Sequence, residues 1–212
     1  MIMYISTFEI KKPAYLLWNM DNLHKTVMKM FHENRSKENV LFMILEEKQE
    51  FSQKNRVCLV IQSDHEPQNI PADLKPLHSK DCTERFSSIQ NGDVVQFYGM
   101  FEPSKRNRKT AKNRNTRISI NNPAARREWL KRKFQNAGNF ININEKSRQK
   151  IYVKKFSGDI HESNLYGYEC RLRITNADEF RGLVQQGIGR SKAYGGALCL
   201  ILHIHHKDVN VA

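Results

Sequence analysis

Residues 183–200 of the 212-residue chain read LVQQGIGRSKAYGGALCL and hold four of its ten glycines. The preceding residues, NADEFRGLVQQ, predict a helix capped by Asn176, and the apolar ALCLIL that follows predicts a strand. Glycines expose backbone N–H groups and reach backbone angles that other residues avoid, which suits a close approach to phosphate. A glycine-rich loop therefore connects a helix to a strand.

The order of elements around this loop excludes two common phosphate-binding motifs. A Walker A loop and a dinucleotide fingerprint both leave a strand and open a helix, whereas this loop leaves a helix and enters a strand. We expect it to lay N–H groups and positive charge along a nucleic-acid backbone, through Gly187, Gly189, Arg190 and Lys192. The alternative is a tight connection in which Gly187 caps the helix, which explains one glycine of the four.

The rest of the chain predicts the same order of elements twice. The first half predicts a strand, a helix over 22–33, two strands, a polar proline-containing segment and a strand at 93–101. The second half predicts strands at 117–120, about 139–144, about 150–156 and about 166–175, with helices after Pro123 and before the loop, and a final strand. This order predicts an α+β fold of two tandem ferredoxin-like (βαββαβ, RRM-like) domains at 1–103 and 118–212, joined by a linker at 104–117.

Positive charge is concentrated in the second half of the chain. The formal net charge is +13 and the pI about 9.7. Residues 1–103 carry 12 Lys and Arg against 14 Asp and Glu, whereas residues 104–212 carry 23 against 8. Such an excess indicates a polyanionic partner, most simply nucleic acid, although solubility alone can also account for it.

The linker, SKRNRKTAKNRNTR, contains seven cations and no acid. Cations at this density neutralise several phosphates at once, and the interleaved Asn and Thr can hydrogen-bond to RNA. We predict a clamp for an RNA hairpin; the alternative is a solvated loop. Its cations are Lys105, Arg106, Arg108, Lys109, Lys112, Arg114 and Arg117, and the next predicted helix adds Arg126, Arg127, Lys131, Arg132 and Lys133.

Five stretches together resemble one known family. They are DNLHKTV (21–27), NVLFMILEE (39–47), FYGMFEPSK (97–105), REWLKRKF (127–134) and the glycine-rich segment. The chain is similar to the CRISPR-RNA-processing endoribonucleases of type I-E systems, the CasE family of the RAMP superfamily. The resemblance implies two ferredoxin-like domains, metal-independent cleavage of a repeat hairpin 3′ of its stem, and retention of the product with the other Cascade subunits.

Three positions depart from the family pattern. Arg190 stands where the family commonly has a small residue or Pro, and Ala197 where it has Gly. Asp21 stands near the position of a tyrosine that accompanies the histidine in some members. We therefore expect a mechanism without that tyrosine.

The chemistry that the resemblance implies needs few protein groups. RNA carries its own nucleophile, the 2′-OH, so an enzyme has to align it, stabilise charge and move protons. The resemblance selects His24 among eight histidines, with Lys25 and Lys29 placed to steady the charge of the phosphorane. Without the resemblance, a half-buried histidine at the rim of the core is the simpler reading of His24.

No other motif indicates a metal or a cofactor. The sequence lacks zinc-ligand spacing, and HIHH at 203–206 fits a strand end better than a metal site. Four scattered cysteines, no leader and no long apolar run predict a reduced, cytoplasmic protein without a membrane span. The competing functions are a non-catalytic RNA-binding or assembly subunit of a CRISPR ribonucleoprotein and, more distantly, a protein that binds duplex DNA.

Overall fold

The computed structural model describes residues 2–13, 17, 19–31, 39–47, 56–106, 117–154 and 158–207. Its strands form two four-stranded sheets and a two-stranded ribbon. Along the chain these elements are β1 (Tyr4–Ile10), α1 (Met20–Met28), β2 (Leu41–Glu47), β3 (Arg56–Ser63), β4 (Leu74–Asp81), α2 (Thr83–Ser87), β5 (Val94–Phe101), β6 (Ser104–Arg106), β7 (Arg117–Ser119), α3 (Pro123–Phe134), β8 (Gly138–Lys154), β9 (Ile160–Ile174), α4 (Ala177–Gln186), a 3₁₀ turn (Lys192–Tyr194) and β10 (Cys199–His205). Within the described ranges, no helix is long and apolar enough to cross a membrane.

Both large sheets have the strand order of a ferredoxin-like domain. The first has the order β2-β3-β1-β4 and the second β10-β5-β9-β8, and all their pairings are antiparallel. In each sheet the first strand along the chain lies between the third and the fourth. The predicted fold of two ferredoxin-like units is confirmed.

The strand expected to close the first unit belongs to the second. Residues 94–101 form β5, which pairs with β9 and β10. The fourth strand of the first sheet is β4, in the segment read as polar and proline-containing. This edge strand buries only its first residue, so its sequence carries no alternating apolar signal. The change of sheet therefore lies before residue 94 and not at 103, and the strand expected at 117–120 is β7 of the small ribbon.

A long hairpin replaces two of the short strands expected in the second half. β8 runs through 138–154 and pairs with β9, with register shifts at Phe140/Asn142 and Glu145/Ser147. Each shift moves the inward positions by one residue, which breaks the alternation on which the sequence prediction rests. The hairpin carries its far end to helix α1, where the backbone of Lys154 is hydrogen-bonded to the side chain of Asn19.

The two units share an extensive apolar contact. The core of the first unit takes in Ile151 and Val153 of the hairpin, and Ala197 and Leu198 after the glycine-rich loop. Polar contacts reinforce it, since Nε2 of buried Gln62 donates to the carbonyl of Val184 at the end of α4 (3.1 Å). The glycine-rich loop is therefore fixed between the two units rather than free at the surface.

Candidate active site

His24 lies where α1, β2 and the glycine-rich loop meet. Helix α1 starts at Asn19, whose side chain accepts a hydrogen bond from the backbone N–H of Asp21 (3.1 Å). Leu23 and Val27 of this helix are fully buried, which leaves His24 at the edge of the core. Its ring stacks on Phe42 with 6.5 Å between centroids and meets Tyr194 edge-on at 6.3 Å.

The surroundings of His24 keep its imidazole neutral. Burial lowers the pKa of His24 below its ordinary value, Asp21 opposes the shift, and Lys25 adds to it. The Nδ1 atom is buried and has no hydrogen-bond partner among the residues that the structure describes. A neutral imidazole is suited to accept a proton at pH 7, and because Nδ1 is buried, that proton has to go to the other ring nitrogen, Nε2.

Lys25 and Lys29 lie on the same helix at the surface. The ammonium of Lys25 is 2.6 Å from the carboxylate of Asp21, one turn earlier. Lys29 is the exposed C-cap residue of the helix. The three predicted catalytic residues thus lie on one helix or at its C-cap, and Asp21 pairs with one of them, Lys25.

Packing explains two of the four glycines in the loop. Gly187 is buried with a φ of +75° at the C-cap of α4, and a Cβ there would lie 2.8 Å from a methyl of Leu41. A Cβ on Gly196 would lie 2.5 Å from a methyl of Leu165. For Gly187 the structure favours the helix-capping alternative over an RNA contact.

The remaining loop residues predicted to bind RNA are more accessible. Arg190 and Lys192 are exposed, and the ammonium of Lys192 donates to the carbonyl of Gln186 at the end of α4. Gly189 is half-buried with a φ of +89°, and a Cβ there would lie 3.0 Å from the ring of Trp129. A side chain at Gly189 would therefore strain the backbone and crowd the ring of Trp129.

Only the two ends of the basic linker lie within the described residues. Lys105 and Arg106 are exposed on β6, which pairs with β7. The backbone of Arg117 belongs to β7. The other four predicted linker contacts lie outside the described residues; they are Arg108, Lys109, Lys112 and Arg114.

The outward face of β8 carries cations that the sequence prediction missed. Arg148, Lys150 and Lys154 are exposed at alternate positions, whereas Ile151 and Val153 point into the core. The ammonium of Lys150 lies 5.1 Å from the ring centre of Tyr152, which belongs to the same face. The available signal was the alternation of Lys146, Arg148, Lys150, Tyr152 and Lys154, four cations and one aromatic residue. The face ends beside the start of helix α1.

Helix α3 carries one buried cation and four exposed ones. Arg126 is only 5% exposed; it donates to both carboxylate oxygens of Glu145 at 2.6 and 3.0 Å and lies 4.0 Å from the ring centre of Tyr166. The hydroxyl of Tyr168 donates to the same carboxylate (3.0 Å). Arg126 therefore joins α3 to the hairpin. The cations of α3 that stay exposed are Arg127, Lys131, Arg132 and Lys133.

Histidines near the end of β10 do not form a metal cluster. His203 and His205 are exposed, with ring centroids 6.4 Å apart, and Nδ1 of His206 lies 3.0 Å from buried Asp93. Within the ranges that the structure describes, no group of three or more His, Cys, Asp or Glu side chains is close enough to hold a metal ion.

Comparison with known proteins supplies a family and a fold. The family model described as CRISPR associated protein matches residues 3–202. No curated protein sequence matches significantly. Among solved structures, Thermus thermophilus Cse3 bound to an RNA that represents a pre-cleavage complex has a TM-score of 0.78 and 18% identity, over 96% of this chain and 100% of that one.

Two further structures share the fold. Cas6e from Escherichia coli K-12 has a TM-score of 0.72 and 21% identity, over 93% of this chain and 98% of that one. A chain of a CRISPR RNA-guided surveillance complex has a TM-score of 0.70 and 16% identity over the same fractions. The family match spans both ferredoxin-like units and includes His24 and the glycine-rich loop. The chain therefore belongs to the CRISPR associated protein family.

Proposed function

We propose that the protein is a metal-independent endoribonuclease of the cytoplasm that binds the repeat hairpin of precursor CRISPR RNA. It cleaves 3′ of the stem and stays with the product among the other subunits of a Cascade complex. The observation that carries the proposal is the position of His24, a half-buried imidazole with a lowered pKa that contacts Tyr194 of the glycine-rich loop, in a family of CRISPR proteins. The structure of Cse3 bound to RNA, which shares the fold, supports the choice of substrate.

The proposed reaction uses the 2′-OH of the RNA as its nucleophile. His24 accepts the proton of this hydroxyl while the oxygen attacks the adjacent phosphorus, and the bond from phosphorus to the 5′-oxygen breaks as that oxygen takes a proton from water. Lys25 and Lys29 bring positive charge to the phosphorane. The products are a 2′,3′-cyclic phosphate and a 5′-OH.

Incubation with a repeat-hairpin RNA in EDTA tests this function. Cleavage to the products named above supports it, and a 2′-deoxy substitution before the cleaved bond should block the reaction. RNA that is bound but left intact would favour the non-catalytic RNA-binding subunit. A preference for duplex DNA over the hairpin would favour the DNA-binding alternative.

The pH dependence of cleavage should report the lowered pKa of His24. If His24 acts as the base, the single-turnover rate rises with pH and levels off once the imidazole is neutral. Since burial lowers its pKa, the midpoint should fall below the ordinary value of 6.5. A rate profile measured from pH 4.5 to 8.5 checks this. A midpoint above 6.5, or a rate that falls as the pH rises, would exclude the assignment.

The cations of β8 should contribute to hairpin affinity. Replacing Lys150 and Lys154 by Ala is expected to weaken binding and to reduce the slope of log K against log salt by about 0.7–0.9 per lost phosphate contact. Filter binding from 50 to 300 mM salt measures both. Lys75 and Lys80 on β4 are a matched control because they are also exposed strand lysines, and Lys75 is ion-paired to Glu9 as Lys150 is to Glu162. Equal losses of hairpin affinity in both double variants would mean that β8 does not contact the RNA phosphates specifically.

RNA binding by the linker and by the loop belongs to the same proposal. The exposed positions of Lys105, Arg106, Arg190 and Lys192 are compatible with phosphate contacts. Gly189 supports them by its backbone conformation, which a residue with a Cβ adopts only under strain.

A further inference from the structure

The carboxylate of Glu102 lies behind the glycine-rich loop. Glu102 follows β5 and is 9% exposed. One of its oxygens accepts a hydrogen bond from the hydroxyl of Ser163 on β9 (2.5 Å), and the other accepts one from the hydroxyl of Ser191 in the loop. Because burying a carboxylate is costly unless hydrogen bonds satisfy it, this group ties the loop to the second sheet.

Ser191 is the residue on which the turn of the loop is built. Its φ is +60°, a left-handed conformation that few residues other than glycine adopt. Its carbonyl accepts hydrogen bonds from the N–H groups of Tyr194 (2.8 Å) and Gly196 (2.9 Å). Such a conformation persists when the surroundings hold it, and the bond to Glu102 does so here.

Tyr194 is placed against His24 by this turn. Its ring meets the imidazole edge-on, with 6.3 Å between the ring centroids. A continuous series of contacts thus runs from Glu102 through Ser191 and Tyr194 to His24.

We propose that Glu102 is a positioning residue for RNA cleavage, which acts through Ser191 to seat Tyr194 against His24. The proposal rests on the proposed function of His24. Glu102 itself contacts neither the imidazole nor the substrate; it determines where the loop holds the imidazole. Since a displacement of about 1 Å from residues remote from the chemistry can cost about 10²-fold in rate, the effect is measurable.

Single-turnover cleavage at saturating protein tests the role of Glu102. At saturating protein, where weaker binding by the loop does not limit the rate, Glu102→Ala should slow cleavage by about 10²-fold. Glu102→Gln should retain most of the rate, because an amide of the same shape can still bond to both hydroxyls. A Glu102→Ala variant that cleaves at the wild-type rate, or a Gln variant as slow as the Ala variant, would overturn the proposal.

The two serines provide a matched comparison. Ser191→Ala and Ser163→Ala each remove one hydroxyl from the same carboxylate, but only Ser191 belongs to the loop. We expect Ser191→Ala to slow cleavage and Ser163→Ala to leave it near the wild-type rate. Equal losses would show that the carboxylate merely supports the fold. This comparison decides the question even if Glu102→Ala does not fold.

The pKa of His24, measured by NMR titration without RNA, gives a readout independent of cleavage. Asp21 and Lys25 of its own helix act on its charge, and Tyr194 is the titratable group that faces it from the loop. When Tyr194 is released in Ser191→Ala, the imidazole gains water and its pKa should rise toward 6.5. An unchanged pKa would refute the positioning role. If the wild type cleaves no RNA, the proposed function fails, but this titration still shows whether the loop positions His24.

Discussion

Replacing His24 by alanine should slow single-turnover cleavage of the repeat hairpin by about 10²–10⁴-fold, the usual contribution of a positioned acid or base. Hairpin affinity should stay close to that of the wild type, because this substitution removes none of the exposed cations on β8 and in the loop. Rapid-quench cleavage and equilibrium binding of a non-cleavable 2′-deoxy hairpin separate the two effects.

A His24→Phe variant distinguishes chemistry from packing. Phenylalanine keeps the ring contacts with Phe42 and Tyr194 but cannot carry a proton. If His24 only completes the rim of the core, this variant should cleave normally and the Ala variant should be less stable. Cleavage at the wild-type rate by either variant would exclude His24 as the proton acceptor and would mean that other residues perform the cleavage.

Replacing Arg126 by alanine should cost about 1.5–3 kcal/mol of folding free energy, since it removes the charged hydrogen bonds to Glu145, whose carboxylate keeps some contact with water. In a chain of this size each kcal/mol corresponds to about 2–4 °C in Tm. Thermal unfolding followed by circular dichroism measures the loss. The sequence placed Arg126 among the cations for RNA, whereas its burial and its contacts with Glu145 and Tyr166 make it a structural residue.

Arg127→Ala is the control for this prediction. Arg127 is the next residue on the same helix and is exposed. Its removal should change the melting temperature little, as surface substitutions usually do. If the Arg126 and Arg127 variants had the same melting temperature, the contact with Glu145 would not be important for stability.

The parts of the fold that the sequence predicted correctly are those whose signal is local. Buried strands such as β3 and β5 are apolar runs, and helices α3 and α4 begin at Asn122 and Asn176, as their capping residues predict. Strand β4 escaped prediction because an exposed edge strand has no apolar alternation. Assignment of β5 to a sheet depends on partners about 70 and 100 residues further along the chain, which local patterns do not encode.

The same distinction between local signals and tertiary packing applies to the residues of the candidate site. His24 could be selected through the motif around it, but Tyr194 is 170 positions further along the chain and meets it only through tertiary packing. Glu102 and Ser191 are likewise brought together by folding. The exposed cations of β8 were readable as an alternating pattern, yet their position beside helix α1 depends on the length of the hairpin.

Few other residues could replace Asn19, because its side chain both accepts and donates hydrogen bonds. Its carbonyl oxygen accepts from the N–H of Asp21 (3.1 Å) and from the N–H of Lys154 (3.0 Å), while its amide nitrogen donates to the carbonyl of Lys154 (3.4 Å). Aspartate would keep the two accepted bonds but would set a carboxylate oxygen against that carbonyl, and serine is too short to replace the donated bond. One amide thus makes the start of the His24 helix and the end of the basic hairpin a single unit, so neither can change at this point without the other.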